Sequence, residues 1–218
     1  MSSRTSFLHR NGLSLVLLAL FLGFWVAQVI TGHAAYNQER LDQDLTLLSL
    51  SAYLRSGHFI SATFENWESE FLQMGMYVLL TVSLRQRGSA ESRPLDPEQE
   101  EERIEAGSAP WPVRIGGVWK TLYAHSLSMA FLLLFSMTFV LHSWGSWLLE
   151  NEERAAQGQV SLSWTAHLLD SQFWFESMQN WQSEFLAVLS IVVLSIFLRQ
   201  DKSPESKPLR APHSQTGT

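Results

Sequence analysis

Along the chain, apolar residues gather into blocks and charges into the gaps between them. No Asp, Glu, Lys or Arg occurs from Asn11 to Gln38, or from Thr121 to Leu149. Each stretch holds the roughly 20 apolar residues that a helix needs to cross about 30 Å of hydrocarbon. Two shorter blocks, Phe71 to Leu84 and Phe185 to Leu198, each lie between a glutamate and an arginine. A helix of that length rises only about 21 Å, so it must recruit neighbours or the bilayer must thin. Recruitment runs upstream: Gly88, just past Arg85, suits a helix stop, whereas residues 64–70 contain no breaker. The pattern predicts four spans, near residues 12–34, 64–85, 125–148 and 178–199. The fold class is all-α, an integral membrane four-helix bundle.

Sliding the sequence on itself by 114 positions aligns residues 11–95 with 125–209 without a gap, and about 30 of the 85 pairs are identical. Shared hydrophobic composition does not produce this, because the best matches are polar. Asn37, Glu39, Arg40 and Gln43 recur as Asn151, Glu153, Arg154 and Gln157. Asn66-Trp67-Glu68-Ser69-Glu70-Phe71-Leu72 recurs as Asn180-Trp181-Gln182-Ser183-Glu184-Phe185-Leu186, and Ser89, Glu91, Ser92 and Pro94 recur as Ser203, Glu205, Ser206 and Pro208. The chain reads as two tandem two-span repeats, 1–95 and 125–209. They are joined by an acidic linker and interfacial segment, 96–124, and followed by a tail, 210–218. An even number of spans per unit inserts both copies the same way up, as parallel repeats about an axis along the membrane normal. Residues 96–113 have no apolar period and read as mostly disordered. Trp119 and Tyr123 mark the headgroup level before the third span. In the outer loops, Leu41, Leu45, Leu48 and Ala52, and then Leu162, Ala166 and Leu169, fall at helical spacing. They suggest helices lying along the interface.

Charge sets the orientation. With a cytoplasmic N-terminus, twelve of the fifteen Lys and Arg residues fall inside and only Arg40, Arg55 and Arg154 outside. That positive-inside bias places both termini in the cytoplasm. Twelve acids lie on the outer side or at its edge, giving that side a net charge of about −9. The first block, with its basic start and Gly32-His33-Ala34-Ala35, also has features of a cleaved signal. Its counterpart in the second copy is internal, so the first block is read as an uncleaved span.

The segment Ser56-Gly57-His58-Phe59 followed by Ala62 to Met74, together with Gly88-Ser89-Ala90-Glu91-Ser92, resembles a bacterial membrane-protein family catalogued only as a domain of unknown function. The resemblance covers nearly the whole chain and implies location and fold, with no activity. The second copy has Asp170-Ser171-Gln172-Phe173 where the first has Ser-Gly-His-Phe, which confines any role of His58 to the first half.

The absence of cysteine excludes disulfides and thiolate chemistry. His33, His58, His142 and His167 lie in or near the outer half, but no pair has a helical metal-motif spacing, so no metal site and no cofactor are expected. His142, aligned with Gln28, reads as an interhelical hydrogen-bonding residue. Gly12, Gly23, Gly32 and Gly75 read as close-packing points. No nucleophile elbow, phosphate loop or dinucleotide fingerprint is present, and no basic aromatic patch suits nucleic acid.

The short spans draw carboxylates inward. At 100° per residue, Asn66, Glu70, Gln73 and Tyr77 share one arc, with Phe64, Trp67, Phe71, Met74 and Val78 opposite. Asn66, Glu70, Gln73, Asn180 and Glu184 are therefore the candidate polar cluster. They would form a site for a proton, a cation or a partner's basic group. In the plainer reading, Glu70 and Glu184 reach the outer interface and favour the helix N-terminus. Trp67, Trp181, Arg85 and Arg199 are candidate interface anchors. The expected function is a non-enzymatic interaction or structural component of a bacterial inner membrane. Its partners would be the lipid bilayer and a membrane protein or further copies of itself. The rival is a small oligomeric transporter or channel using the outer-leaflet carboxylates.

Single cysteines placed at Gln43 and Gln157 should react with a membrane-impermeant thiol reagent in intact cells, and one at Glu100 should not. Labelling at Glu100 alone would reverse the orientation.

Overall fold

A computed structural model describes residues 7–96, 98 and 104–217. Pro97 and Gln99 to Arg103, which include Glu100, Glu101 and Glu102 of the acidic linker, lie outside the described residues, as does Arg4. The described residues form helices and no strands. The helices are α1 (Phe7–Arg10), α2 (Gly12–Asp42), α3 (Leu50–Tyr53), α4 (Gly57–Ser83), α5 (Trp111–Ile115), α6 (Gly117–Ala124), α7 (Ser126–Ala156), α8 (Trp164–His167) and α9 (Ser171–Phe197). Helices α2, α7 and α9 are long and apolar enough to cross a membrane. Helix α4 equals α9 in length at 27 residues, but carries Glu65, Glu68 and Glu70 within its N-terminal half.

The long helices extend past the expected spans. Helices α2 and α7 run on to Asp42 and Ala156, and α4 and α9 begin at Gly57 and Ser171, seven residues early. The interfacial helices expected over Leu41 to Ala52 and Leu162 to Leu169 do not form beyond the single turns α3 and α8. The reason is local. Asp44 and Gly158 adopt left-handed backbone, φ 57° and 70°, and the amides of Leu45 and Gln159 return to the carbonyls of Arg40 and Arg154. This is the bond that closes a helix C-terminus at a left-handed residue. Side chains then seize the returning strand: Arg40 Nε donates to Thr46 O, Arg154 Nε donates to Val160 O, and the Asn37 amide pairs with both backbone groups of Leu48. These bonds satisfy the segment's backbone outside a helix.

The left-handed residue, the returning amide and the arginine bond recur 114 positions apart, as do the bounds of α2 and α7, α3 and α8, and α4 and α9. Ser49 and Ser163 cap the amides of Ala52 and Ala166. After α4, Gln86 N donates to Ser92 Oγ and Glu91 N to Ser89 Oγ; after α9, Gln200 N donates to Ser206 Oγ and Glu205 N to Ser203 Oγ. The left-handed position of this turn is Gly88 in one case and Lys202 in the other.

The described chain forms two compact units. The first comprises residues up to Ala62 with Trp144–Ser161, and the second Thr63–Ser143 with Leu162 onward; α4 and α7 contribute to both. In the first, Tyr36, Tyr53 and Phe59 form a buried cluster with Trp25, Val29, Leu48 and Leu149 around it. Tyr36 Oη donates to Glu152 at 3.0 Å, and Arg40 pairs with the other oxygen of the same carboxylate. In the second, Lys207 is 1% exposed. Its ammonium donates to the carbonyls of Gly88, Pro212, His213 and Gln215. Burial, and then the Arg199 charge, hold it below the ordinary lysine range.

Two of the four expected close-packing glycines are closely packed and two are not: a Cβ on Gly32 would meet the Tyr53 ring and one on Gly75 would meet Phe131, whereas one on Gly12 or Gly23 would meet nothing within 4 Å. The tightest approach is between α4 and α7 in the first unit. A Cβ on Gly145 would stand 2.6 Å from the Ser61 nitrogen, and one on Gly57 would stand 2.7 Å from the Gly145 carbonyl. Small residues that let two backbones meet are a recurrent device of membrane helices. Gly145→Ala should therefore destabilise the protein by about 1–3 kcal/mol through overpacking. Gly23→Ala should be neutral or stabilising by about 0.5–1 kcal/mol. Thermal unfolding in detergent checks both.

Candidate functional site

The second unit contains a carboxylate and an imidazole removed from solvent together. Glu68 on α4 and His142 on α7 are each 0% exposed, and His142 Nδ1 lies 2.8 Å from Glu68 Oε2. The indole of Trp181 on α9 donates to Glu68 Oε1 at 2.9 Å. An indole N–H only donates, so Oε1 is an acceptor and Glu68 is tied to two helices at once. Thr138, one turn before His142, is also 0% exposed, and its hydroxyl is turned onto its own helix, donating to Leu134 O. Phe173 stands 5.2 Å from the His142 ring and 5.3 Å from that of His167 on α8. Phe135 and Trp174 stand 6.0 and 6.3 Å from Trp181. The walls of the pair are aromatic, and they keep its local dielectric low.

A second carboxylate lies on the same helix. Glu65, half-buried, accepts from the Asn180 amide. Asn180 also donates to the Glu176 carbonyl at 3.3 Å, and Gln172 donates to the Glu176 carboxylate at 2.7 Å. Two polar atoms here are buried and unpartnered: His142 Nε2 and Ser177 Oγ.

The candidate cluster is redistributed by this arrangement. Asn66 and Glu70 are exposed. Gln73 is buried and donates to the backbone carbonyl of Glu184 at 2.7 Å, and Asn180 turns to Glu65. The buried carboxylate is Glu68, two residues before Glu70 and about 160° away on the helix. The face of α4 turned inward carries Thr63, Ser69 and Gln73 as well as Glu68; of Asn66, Glu70 and Gln73, which share one arc, only Gln73 is buried. Trp181 is an inward hydrogen-bond donor. Arg85 and Arg199 each donate through Nη1 to the last carbonyls of their own helices, Arg85 to Thr81, Val82 and Leu84, and Arg199 to Ser195, Ile196 and Leu198. Among the described residues, no group of three or more His, Asp or Glu side chains is placed to hold a metal ion.

One signal in the sequence points to the pair. The variable position of the repeated Asn-Trp-x-Ser-Glu-Phe-Leu segment is Glu68 in one copy and Gln182 in the other, and the position of His142 is Gln28. Each copy thus carries one ionisable group and one glutamine at these two positions.

These features describe an α-helical protein with helices fit to cross a membrane and a carboxylate–imidazole pair sealed among them. The chain belongs to the family described as Domain of unknown function (DUF6766), whose model matches residues 4–218. No curated protein and no solved structure matches it.

The two halves of the pair should differ in what their loss costs. His142→Ala leaves a buried carboxylate without its partner and should destabilise by about 3–5 kcal/mol. Glu68→Gln keeps an acceptor for Trp181 and should cost about 1–2 kcal/mol. Glu68→Gln/His142→Gln, the combination found at the 114-shifted positions, should be more stable than His142→Gln alone. Denaturant titration of the purified protein measures all four.

Proposed function

We propose that this chain is a four-span protein of a bacterial inner membrane, made by tandem duplication of a two-span hairpin, with both termini in the cytoplasm. It acts without catalysis, through contacts its helices make within the membrane. The observation that carries this reading is the inverted distribution of polarity. Among the described residues, seventeen polar or charged side chains are buried against five apolar or aromatic ones, while Leu13, Phe24, Leu133 and Phe197 are more than half exposed. A chain in water buries its apolar atoms. One in hydrocarbon satisfies its polar groups internally and leaves apolar surface outward.

The duplication is supported by the recurrence of helix bounds, caps and left-handed residues at one offset. Four spans, rather than three, are supported by the equal lengths of α4 and α9 and by the concealment of Glu68 within α4. The interaction role is supported by α2. None of its most apolar 18-residue window is buried within the chain, which leaves that surface to lipid or to another membrane segment.

A photo-crosslinking residue at Phe24, read in native membranes, together with the mass of the protein in nanodiscs, tests the reading. The expected result is a protomer of 24.8 kDa and a discrete adduct with a different membrane protein. Integer multiples of the protomer mass with self-adducts alone would replace it with the oligomeric transporter or channel.

A further inference from the structure

The Glu68–His142–Trp181 cluster does more than join three helices, because its hydrogen bonding is incomplete at one atom. With Trp181 donating to Oε1 and Nδ1 facing Oε2 at 2.8 Å, the neutral imidazole completes the pair by carrying its proton on Nδ1. Nε2 is then a bare lone pair, buried and without a partner. The alternative, with the carboxyl protonated and Nδ1 accepting, would leave an orphaned N–H at Nε2, and orphaned buried donors are rarer than under-satisfied acceptors. In the favoured form the pair carries one net negative charge in apolar surroundings, where an uncompensated charge is costly.

We propose that His142 Nε2 is a proton-binding site inside the membrane, taking one proton per chain onto the Glu68–His142 pair. A hydronium ion passes its proton to the Nε2 lone pair and leaves as water. The Nδ1–H bond to Glu68 stays intact, and the pair changes from a net charge of −1 to a neutral imidazolium–carboxylate pair. The groups that face it act in defined senses. Glu65 from α4 faces His142, and Glu176 from α9 faces Glu65 in turn; a carboxylate at either place favours uptake. His167 of α8 lies beyond the Phe173 ring, and its own protonation would oppose it. Trp181, by donating to Glu68, shares the negative charge that draws the proton and so restrains uptake. Ser177 lies on α9 between Phe173 and Trp181, four residues from each, and its hydroxyl is likewise buried and unpartnered. Intramembrane Glu and His side chains are characteristic of proton-handling sites.

Histidine nitrogen chemical shifts of the full chain in lipid nanodiscs, recorded from about pH 4 to about pH 10, test this directly. The His142 signals are assigned by their loss in His142→Gln. His142 should begin as the Nδ1–H tautomer and become imidazolium in one step. Glu68→Gln should weaken its proton affinity about tenfold or more, equivalent to at least one pH unit. Trp181→Phe should strengthen it. If Glu68→Gln does not fold, the opposite-signed shift in Trp181→Phe decides alone. A His142 that stays neutral across the whole range, or whose titration Trp181→Phe leaves unmoved, would overturn the proposal.

Discussion

A carboxylate in a low-dielectric interior must be paired, hydrogen-bonded or neutralised, and the position of Glu68 imposes that requirement on three long helices together. Helix α4 supplies the acid, α7 the imidazole at 2.8 Å and α9 the indole at 2.9 Å. None of these bonds can slide by a residue, because one step along a helix rotates the side chain by about 100°. Apolar contacts in lipid provide no comparable specificity, since hydrocarbon tails satisfy a leucine as well as another helix does. The polar seam therefore sets the register of the helices around it. The aromatic rings of Phe173, Phe135 and Trp174 fill the space that the seam leaves.

The proposed duplication explains the backbone and leaves the seam as its exception. The turn after α4 and the turn after α9 repeat bond for bond, even though the left-handed position is glycine in one and lysine in the other. A lysine at φ 66° costs roughly 1–2 kcal/mol relative to glycine. The shared pattern of serine bonds holds the turn in place despite that cost. The loops after α2 and α7 behave alike, with Asp44 and Gly158 exchanging the same roles. Against this uniformity, the acid and the base of the seam are both replaced by glutamine at the shifted positions. Glutamine keeps a donor and an acceptor but no charge, so only one of the two related positions can take up a proton.

The apolar blocks made the long helices legible, because three of them are nearly free of charge. Their ends were not, since the helices continue through Tyr36 to Asp42 and back to Gly57, where no apolar run marks them. The failure of the outer amphipathic helix was equally hidden. Leu41, Leu45, Leu48 and Ala52 do have helical spacing, but Arg40 and Asn37 bond to the backbone of Thr46 and Leu48 and hold the chain extended. Side-chain capture of this kind leaves no trace in a hydrophobic period. The site was half legible. His142 stood out as an imidazole inside an uncharged block, whereas the arc argument grouped Glu70 with Asn66, Gln73 and Tyr77 and left Glu68 aside. A helical period groups residues by direction, and contact with α7 selects which direction is turned inward.

Charges elsewhere in the molecule show what distinguishes the seam. Arg40 is 8% exposed and answers a carboxylate, Glu152, together with the Thr46 carbonyl. Lys207 is enclosed by four backbone carbonyls, a shell that replaces water around an ammonium without adding an opposite charge. In both places each of these bonds runs from a donor to a waiting acceptor. The seam instead ends on Nε2, an acceptor with nothing donating to it. A purely structural clasp would gain nothing from ending there, because a residue such as glutamine bridges helices without an unmet lone pair, and glutamine occupies both 114-shifted positions. Keeping histidine beside glutamate in that environment exchanges complete hydrogen bonding for a site whose charge can change by one proton.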